Sequence, residues 1–459
     1  MRITKFIAFS IVALLVASCS SLTKQREEPD QTIKNAVKTP SSWATDSSEN
    51  AEIRIRWVET FNDPILMKFV KEGIASNNDL KVAAGNMEKA WLLAKKSGAA
   101  LKPTIGLSLD GTQSGSAAGG ESTSNISVGL QASWELDIWG RIRAGVHAAG
   151  VRAQATEADY IFAKQSLSAS IAKTYFKVIE AKLQTDIKRK NLMILKKTMR
   201  ITQAKYDNGR SSAQDVALNR ANLAAAQEQL VAINGSQRDA IRALEILLGR
   251  YPNATSEIPD ELPDLPPSPP AGIPSEILER RPDIVSAERQ IAAAFDATDQ
   301  ARAARLPRIS LTSSGSGASP SLSDILDPIN IAWQLGANLL APLFDGGKRK
   351  IDVEIATVEQ KQAIANYAQK ALTAFSEVEN NLDQGRVLAD RETALSEARS
   401  QSAKAYHIAE LRYNEGESDL LDTMQIQQQA ISAVSKLLSV KRNQLEQRVN
   451  LYLSLGGSW

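Results

Sequence analysis

Residue types that catalyse reactions or bind metals are sparse and widely separated in this chain of 459 residues. His147 and His407 are the only histidines, and each stands alone on a predicted helix, where a packing or surface role is expected. A single cysteine leaves no Cys/His set for a metal ion. Gly346-Gly347-Lys348 lacks the spacing and the Ser/Thr of a phosphate-binding loop. The sequence therefore predicts no catalytic residue, no metal site and no cofactor, and a protein that is not an enzyme.

Covalent chemistry is predicted at one position, the single cysteine Cys19. Arg2 and Lys5 precede an apolar run that ends in Leu15-Val16-Ala17-Ser18-Cys19. A basic start, a short apolar core and small residues at the break predict a secretory signal peptide over residues 1–18, too short to span a membrane. The final five residues resemble the bacterial lipobox, in which the cysteine is lipidated and becomes the first mature residue. A buried thiol near an ordinary signal peptide is the alternative.

The mature chain left by this cleavage is electrically balanced. The full sequence has a formal charge of +2, and removing Arg2 and Lys5 leaves zero, which argues against broad electrostatic binding to nucleic acid. Ser20, rather than an aspartate, resembles the outer-membrane sorting preference of lipoproteins, so residues 19–50 are predicted to be a segment anchored in outer membrane lipid. No long apolar stretch follows Cys19, so strands must make any bilayer crossing.

The rest of the chain contains one unit twice. Matches separated by 204 positions are followed by matches separated by 207. A period of about 200 residues is too long for a solenoid repeat and indicates a large duplicated unit. We predict a first repeat over residues 51–249, a proline-rich connector over residues 250–276 and a second repeat over residues 277–459. Matching pairs include Asp79/Asp283, Pro103/Pro307, Gly140/Gly347, Tyr206/Tyr413, Gly209/Gly416, Asp215/Asp422 and Gly249/Gly456.

Each copy contains two segments with the period of a β-strand. From Asn125 to Ile138, apolar residues alternate with polar or small ones, which predicts a strand with one apolar and one polar face. Gly111–Ser124 has no apolar anchor and is predicted to be a loop. The four predicted strands cover about residues 103–110, 125–138, 307–313 and 330–341.

These strands have about the length that crosses a membrane, ~9–11 residues. A soluble hairpin on a hydrophobic core is the alternative for any one pair. Open strand edges are not tolerated in lipid, so several chains must pool their strands. Two chains would form an eight-stranded barrel filled by its own side chains, and three would form twelve strands with room for a lumen.

Long helices account for the remainder of each copy. No proline interrupts the segment from Gly140 to Tyr206, and its apolar residues recur at intervals of three and four. At 1.5 Å per residue, such a helix would be about 100 Å long. Gly209 predicts a turn, which closes a helical hairpin over residues 140–248, and the second copy predicts a matching hairpin over residues 347–455. A solitary coiled-coil rod is the alternative for this pattern.

Taken together, the motifs resemble the outer-membrane factor family, the TolC-type proteins, and especially its lipoprotein branch. The resemblance covers essentially the whole mature chain. It implies a mainly α fold with membrane β: a homotrimeric α-barrel of long helical hairpins joined to a shared 12-stranded transmembrane β-barrel, with four strands per chain and two internal structural repeats. The similar strings are Trp57-x3-Phe61-x-Asp63-Pro64, Glu135-Leu136-Asp137-Ile138-Trp139-Gly140-Arg141, Arg280-Arg281-Pro282-Asp283-Ile284, Ala341-Pro342-Leu343-Phe344-Asp345-Gly346-Gly347 and Arg412-Tyr413-Asn414-Glu415-Gly416 with Leu420-Leu421-Asp422.

The same resemblance implies an outer-membrane channel of a tripartite efflux or export system. Such a trimer is a passive conduit from periplasm to exterior that docks to a periplasmic adaptor (the membrane fusion protein) and an inner-membrane transporter, and the lipoprotein branch favours small-molecule or drug efflux. An exit duct of a type I protein secretion system is one alternative. A structural helical envelope lipoprotein is another, and a lipid-anchored enzyme is a third.

In this family the hairpin tips form the gate and the adaptor contact. Carried over to this sequence, the candidate periplasmic gate residues are Asp422, Gln425 and Asp215, and a threefold axis would gather three copies of Asp422 into a ring that favours cations. The family often carries a second acid where Gln425 stands. A solvated acid stabilised by the helix dipole is the alternative role for Asp422. The candidate adaptor contacts are Tyr206, Gly209, Tyr413, Gly416, Leu420 and Leu421.

Overall fold

A computed structural model describes residues 29–45, 56–115, 119 and 122–457 of the chain. The predicted signal peptide over residues 1–18 and the predicted lipidation site Cys19 lie outside the described residues. Within the described part, no helix combines the length and the apolar character needed to cross a membrane.

The predicted mainly α chain with four strands and long helical hairpins is confirmed. The longest helices have 67 and 68 residues, and each is followed by a helix of 35 residues. The elements are α1 (Pro29–Ala36), α2 (Pro64–Ser76), α3 (Asn78–Gly98), β1 (Thr104–Ser114), β2 (Thr123–Leu136), α4 (Arg141–Asp207), α5 (Ala213–Leu247), α6 (Pro274–Arg280), α7 (Pro282–Ala303), β3 (Arg308–Ser319), β4 (Ile331–Leu340), α8 (Lys348–Glu415) and α9 (Leu420–Ser454).

Contacts between Cα atoms divide the chain into two compact units. The strand unit comprises Lys96–Val151 and Glu288–Gln369, with the described residues before Thr39. The hairpin unit comprises Thr39–Lys95, Arg152–Ala287 and Lys370–Trp459. Each unit takes segments from both sequence repeats, so the repeats and the compact units are different divisions of the chain. The boundaries of the repeats stay a prediction.

In the strand unit, the four strands form one antiparallel sheet in the order β1-β2-β3-β4. Directly paired residues point to the same side of a sheet, so the register shows which side chains share a face. Leu107 pairs with Leu130, and Trp134 pairs with Leu311, so the apolar positions of different strands coincide. We call this side the apolar face. Its large, solvent-exposed side chains are Ile105, Leu107, Leu109, Leu130, Trp134, Leu311, Ile331, Trp333, Leu335 and Leu339.

Strands β1 and β3 are longer than the sequence predicted, and β2 begins and ends two residues earlier than predicted. β1 continues to Ser114 and β2 begins at Thr123, so the predicted loop over Gly111–Ser124 is wrong at both ends. β3 likewise continues to Ser319 instead of ending near residue 313. Backbone hydrogen bonds form the ladder and do not require apolar side chains, so the Gly/Ser composition concealed both extensions.

An aromatic core lies in the hairpin unit. Trp57 stacks on Tyr452 with ring centroids 6.1 Å apart, and Phe61 lies 5.4 Å from Phe176. Asp63 caps α2 by accepting hydrogen bonds from the first backbone N–H groups of that helix. The aromatic cluster therefore fixes the chain before α2 against α4 and α9.

Polar contacts join α4 to α9 along the hairpin unit. The guanidinium of Arg442 donates to Glu180 at 2.7 Å, and the amide of Gln427 donates to Asn191 at 3.0 Å in a buried position. Buried polar groups that lose such partners are costly, so these pairs restrict how the two helices can slide. They hold the two helices in register.

Candidate functional site

The first hairpin turns between α4 and α5 through a glycine C-cap. Gly209 has φ +69°, a left-handed conformation that residues with a Cβ rarely adopt. Its N–H donates to the carbonyl of Tyr206 at 2.9 Å, and the N–H of Arg210 donates to the carbonyl of Lys205 at 2.7 Å. This pair of bonds is a Schellman motif, which satisfies carbonyls left free at the helix end.

The second hairpin repeats this geometry between α8 and α9. Gly416 has φ +86°, and its N–H donates to the carbonyl of Tyr413 at 3.2 Å. The N–H of Glu417 donates to the carbonyl of Arg412 at 2.8 Å. Both predicted turns are therefore present, with the same backbone bonds 207 positions apart.

The start of α5 uses the carboxylate of Asp215. The hydroxyl of Ser212 accepts from the Asp215 N–H at 3.1 Å, and the Asp215 carboxylate accepts from the Ser212 N–H at 3.0 Å, which makes a capping box. The hydroxyl of Ser211 also donates to this carboxylate at 2.9 Å. The backbone hydrogen bond from Ser212, together with the two serine hydroxyls, holds the pKa of Asp215 below its usual value. The Asp215 carboxylate therefore caps the N-terminus of α5.

The start of α9 leaves the equivalent acid free. Asp419 takes the position of Ser212 and accepts from the Asp422 N–H at 2.7 Å. Within the described part of the chain, the exposed Asp422 carboxylate makes no hydrogen bond or ion pair. A reciprocal bond would bring it towards the Asp419 carboxylate, and like charges repel. Gln425, three residues later and also exposed, lies on the same side of α9.

A buried polar contact joins the two hairpins near their tips. The hydroxyl of Tyr413 lies 2.9 Å from Oγ1 of Thr202, and the amide of Asn219 donates to the same oxygen at 3.1 Å. Nζ of Lys205 lies 3.9 Å from the centroid of the Tyr413 ring and donates to the Tyr413 carbonyl. We call these four residues the Tyr413 junction. Burial raises the pKa of Tyr413 and lowers the pKa of Lys205.

Accessibility differs sharply among the six candidate adaptor contacts. Gly209, Gly416 and Leu421 are exposed, and Tyr206 is 43% exposed. Tyr413 and Leu420 are buried within this chain, at 6% and 2% exposure. The accessible four form what we call the tip surface, and the assignment of all six to an adaptor stays a prediction.

Thr202, Lys205 and Asn219 were missed by the sequence-based search for a site. Thr202 and Asn219 are fully buried polar residues, although the matching positions in the second repeat are Ala409 and Ile426. In each case one repeat has a polar residue where the other repeat has an apolar residue at the matching helix position. This difference between the repeats is the signal that could have identified them. The structure brings both to Tyr413, which is itself buried.

Among the described residues, no group of three or more His, Cys, Asp or Glu side chains is arranged to hold a metal ion. In the strand unit, Nδ1 of His147 lies 2.5 Å from a carboxylate oxygen of Asp296, so this histidine has an acidic partner. The tip residues hold the two helical hairpins together and place the Asp422 carboxylate at the surface of the chain.

Long helical hairpins with capped tips, and a sheet whose exposed face is apolar, together define an outer-membrane channel protein. The chain belongs to the outer membrane efflux protein family, whose model matches residues 70–250 and 273–457. The predicted family, fold class and location in the outer membrane are thereby confirmed.

Individual relatives match over nearly the full length. The chain is 29% identical over 462 residues to the pyoverdine export outer membrane protein OpmQ of Pseudomonas aeruginosa, covering 97% of this chain and 96% of that protein. It is 29% identical to the solvent efflux pump outer membrane protein SrpC of Pseudomonas putida, covering 99% of each.

Solved channel structures share the fold. The outer-membrane channel OprN superposes with a TM-score of 0.85 at 27% identity, covering 92% of this chain and 97% of that one. The CmeC outer membrane channel of Campylobacter jejuni gives a TM-score of 0.86 at 25% identity, covering 91% of each.

Proposed function

We propose that this chain is the outer-membrane channel of a tripartite efflux system. Three copies form a passive conduit from the periplasm to the exterior, anchored by acyl chains on Cys19, and the trimer docks to a periplasmic adaptor and an inner-membrane transporter. The conduit moves small molecules and catalyses no reaction. The exposed apolar face of the sheet is the main support, because a soluble protein rarely leaves such a large apolar surface in water.

The free edges of the sheet support an assembly of several chains. Within the described residues, β1 and β4 each pair on one side only. An unpaired edge in hydrocarbon leaves backbone N–H and C=O groups without partners, at a cost of several kcal/mol each. Pairing of β4 of one copy with β1 of the next removes both edges, and three copies give twelve strands around a lumen.

An apolar stripe on α8 supports packing against a neighbouring subunit. Ile351, Ile355 and Val358 recur at the spacing of one helix face, and all three are about half exposed in the single chain. A stripe of this kind normally faces a core. In the proposed trimer, the stripe is covered by the adjacent copy.

At the periplasmic end, we assign Asp422 and Gln425 to the constriction. Asp422 has an exposed carboxylate without a partner in the described chain, whereas the Asp215 carboxylate is held by a capping box. Three free carboxylates around a narrow axis favour cations over anions. Asp215 then acts indirectly, by fixing the start of α5.

The adaptor contact is assigned to the tip surface. Tyr206 and Leu421 offer exposed aromatic and aliphatic side chains beside the two tip glycines, as protein interfaces often do. Tyr413 and Leu420 are buried next to these residues in the sequence, and we assign them a positioning role. Opening the gate would separate the hairpins at the Tyr413 junction, while the paired strands stay fixed.

Small molecules are the proposed cargo, because the relative OpmQ is named for export of pyoverdine and SrpC for efflux of solvent. The cargo class is tested by expressing the chain with its adaptor and transporter in a strain lacking its own efflux channel. Restored resistance to solvents or antibiotics is expected, and secretion of a protein without any change in resistance would instead indicate a type I duct.

Assembly and conduction are tested on the full-length lipidated protein in detergent and in planar bilayers. A trimer by native mass spectrometry, with single-channel conductance, is expected. A conducting trimer excludes the helical-spacer lipoprotein, and a monomer without conductance contradicts the proposed function.

A further inference from the structure

The connection between β3 and β4 is a folded segment rather than an open loop. We call residues 320–330 the β3–β4 segment. It contains two short 3-10 turns, Leu322–Asp324 and Pro328–Asn330. The side-chain amide of Asn330 donates to the carbonyl of Asp324 at 2.8 Å, which ties the two turns together. A segment held by its own hydrogen bonds presents its side chains in fixed directions.

The segment folds over the apolar face of the sheet. Gly317 pairs with Val128 on one side and Ile331 on the other, so a side chain at Gly317 would point to the apolar face. A Cβ placed there would clash with the carbonyl oxygen of Ile325. Ser319, on the same face of β3, is buried at 4% exposure, and Ile325 of the segment is buried at 5% exposure. The polar face of the sheet at this level is left uncovered, since Ser316 and Ala318 are exposed.

The outer side of the segment carries large apolar side chains in solvent. Leu322 is 65% exposed, Leu326 is 76% exposed and Ile329 is 91% exposed. The other connection, from Gly115 to Ser122, has no large apolar residue in its sequence. The β3–β4 segment contains no Lys or Arg and two acids, Asp324 and Asp327, so its chemistry does not favour lipid phosphates. Its exposed apolar residues lie between β3 and β4 in the chain, in the segment whose Ile325 carbonyl contacts the apolar face at Gly317.

We propose that the β3–β4 segment is a lipid-binding element, in which Leu322, Leu326 and Ile329 insert among acyl chains of the outer leaflet. This inference rests on the proposed function, in which the apolar face contacts lipid. Burial of three such side chains in the acyl region is favourable, as for short interfacial segments that anchor peripheral proteins. In this proposal the segment contacts the membrane at the outer side of the barrel and does not cover the opening of the channel.

Site-directed labelling in the full-length protein tests this placement. A fluorophore is attached to the new thiol in the variants Leu326→Cys and Ile329→Cys. Each labelled protein is reconstituted into liposomes whose lipids have brominated acyl chains, which quench the fluorophore on contact. Ser323→Cys, exposed in the same segment, is the matched polar control, and Leu335→Cys on the apolar face is the reference for lipid contact. Cys19 is the only native cysteine. In the proposed lipoprotein its sulfur is a thioether, which does not react with the label.

Quenching at positions 326 and 329 is expected to exceed that at position 323 by at least about twofold, because only they reach the acyl region. Quenching at 335 without any excess at 326 or 329 overturns the lipid-binding element and leaves the channel intact. A trimer that lacks quenching at 335 contradicts the lipid-facing sheet, and with it both proposals.

Substituting Gly317 provides a second, independent arm. Gly317→Ala should displace the Ile325 carbonyl and lift the segment, so that quenching at 326 falls by about half while quenching at 335 is retained. Gly315→Ala is the matched control, because a Cβ there meets nothing within 4 Å. Trimer mass and conductance, measured on the same samples, show that both variants have folded. Equal quenching at 326 in the two folded variants would overturn the proposed seating of the segment on the sheet.

Discussion

The hydroxyl of Tyr413 lies 2.9 Å from Oγ1 of Thr202, whereas Tyr206, the residue that matches Tyr413 in the first repeat, is 43% exposed. The two tyrosines occupy the same position before a glycine C-cap, yet one locks two hairpins together and the other reaches the surface. Duplication supplied the same turn twice, and the residues around each turn gave the copies different roles.

Replacing Tyr413 by phenylalanine should weaken the Tyr413 junction by about 1 kcal/mol, because the buried Thr202 hydroxyl loses a partner. Amide exchange around residues 200–206 should then accelerate about fivefold in hydrogen-exchange mass spectrometry. Tyr206→Phe is the matched control and should leave exchange unchanged. Equal exchange in the wild type and Tyr413→Phe would show that the hairpins do not depend on this contact.

Neutralising the free acid should alter ion passage without loss of stability. Asp422→Asn removes a carboxylate that has no hydrogen bond or ion pair in the described residues, so the free energy of unfolding should change by less than about 0.5 kcal/mol. Cation preference, measured from reversal potentials across planar bilayers in a salt gradient, should fall at least about twofold. Asp422→Ala should also raise conductance or sensitise cells to large antibiotics. If neither ion selectivity nor conductance changes, Asp422 does not line the constriction.

Exchanging one cap residue should make the second tip behave like the first. Asp419→Ser places serine where Ser212 stands in the first repeat, so the Asp422 carboxylate can close a capping box. The start of α9 should be stabilised or unchanged, and cation preference should fall by less than in Asp422→Asn, because the Asp422 carboxylate stays ionised but is held at the cap. Asp419→Asn is the control, because it keeps a cap acceptor of the original size. Identical ion selectivity in Asp419→Ser and the wild type would show that the cap residue of α9 has no effect on ion passage.

The first tip should be sensitive to acid. The pKa of Asp215 is held below its usual value of 3.8, chiefly by the backbone N–H of Ser212, so its ionised form stabilises the folded tip. That contribution is fully present above the unfolded pKa and is lost as pH falls through the folded pKa. Protection of the α5 N-terminus, from exchange corrected for intrinsic rates, should therefore be constant above about pH 5 and should fall as the pH drops below about 4. In Asp215→Asn, protection should be lower at the higher pH and lose this pH dependence. A wild-type profile that stays flat would rule out the ionised cap.

A charge placed in the stripe on α8 should prevent assembly. Ile355→Asp puts a carboxylate into the proposed subunit contact, where an unpaired charge costs several kcal/mol. The trimer should be lost in native mass spectrometry, while Ile355→Leu, which keeps the stripe apolar, should retain it. A stable Ile355→Asp trimer would mean that this face of α8 contacts water.

Much of the fold could be predicted because its signals are periodic. The alternation that begins at Ile126 gives the correct face for β2, and the helical spacing after Gly140 gives α4 as one helix. Strand ends were harder to predict. Thr112 and Gly317 are paired in the sheet by backbone hydrogen bonds, which do not depend on the type of side chain.

The candidate site was only partly accessible to sequence reasoning. The tip turns follow from Gly209 and Gly416, because a left-handed C-cap has a strong residue preference. The different states of Asp215 and Asp422 depend on whether the cap residue is serine or aspartate, a choice that matters only once both side chains are placed. The burial of Thr202 depends on packing between the hairpins, which neither repeat contains alone.

The interleaving of the repeats in the strand and hairpin units has a consequence for biogenesis. β2 finds its second partner in β3, at pairs such as Leu136 and Ile309, and Trp57 stacks on Tyr452 near the far end of the chain. Neither unit can be completed until the later half of the polypeptide has been secreted. The N-terminal half must therefore remain incompletely folded until then, and we expect it to need protection by chaperones during export.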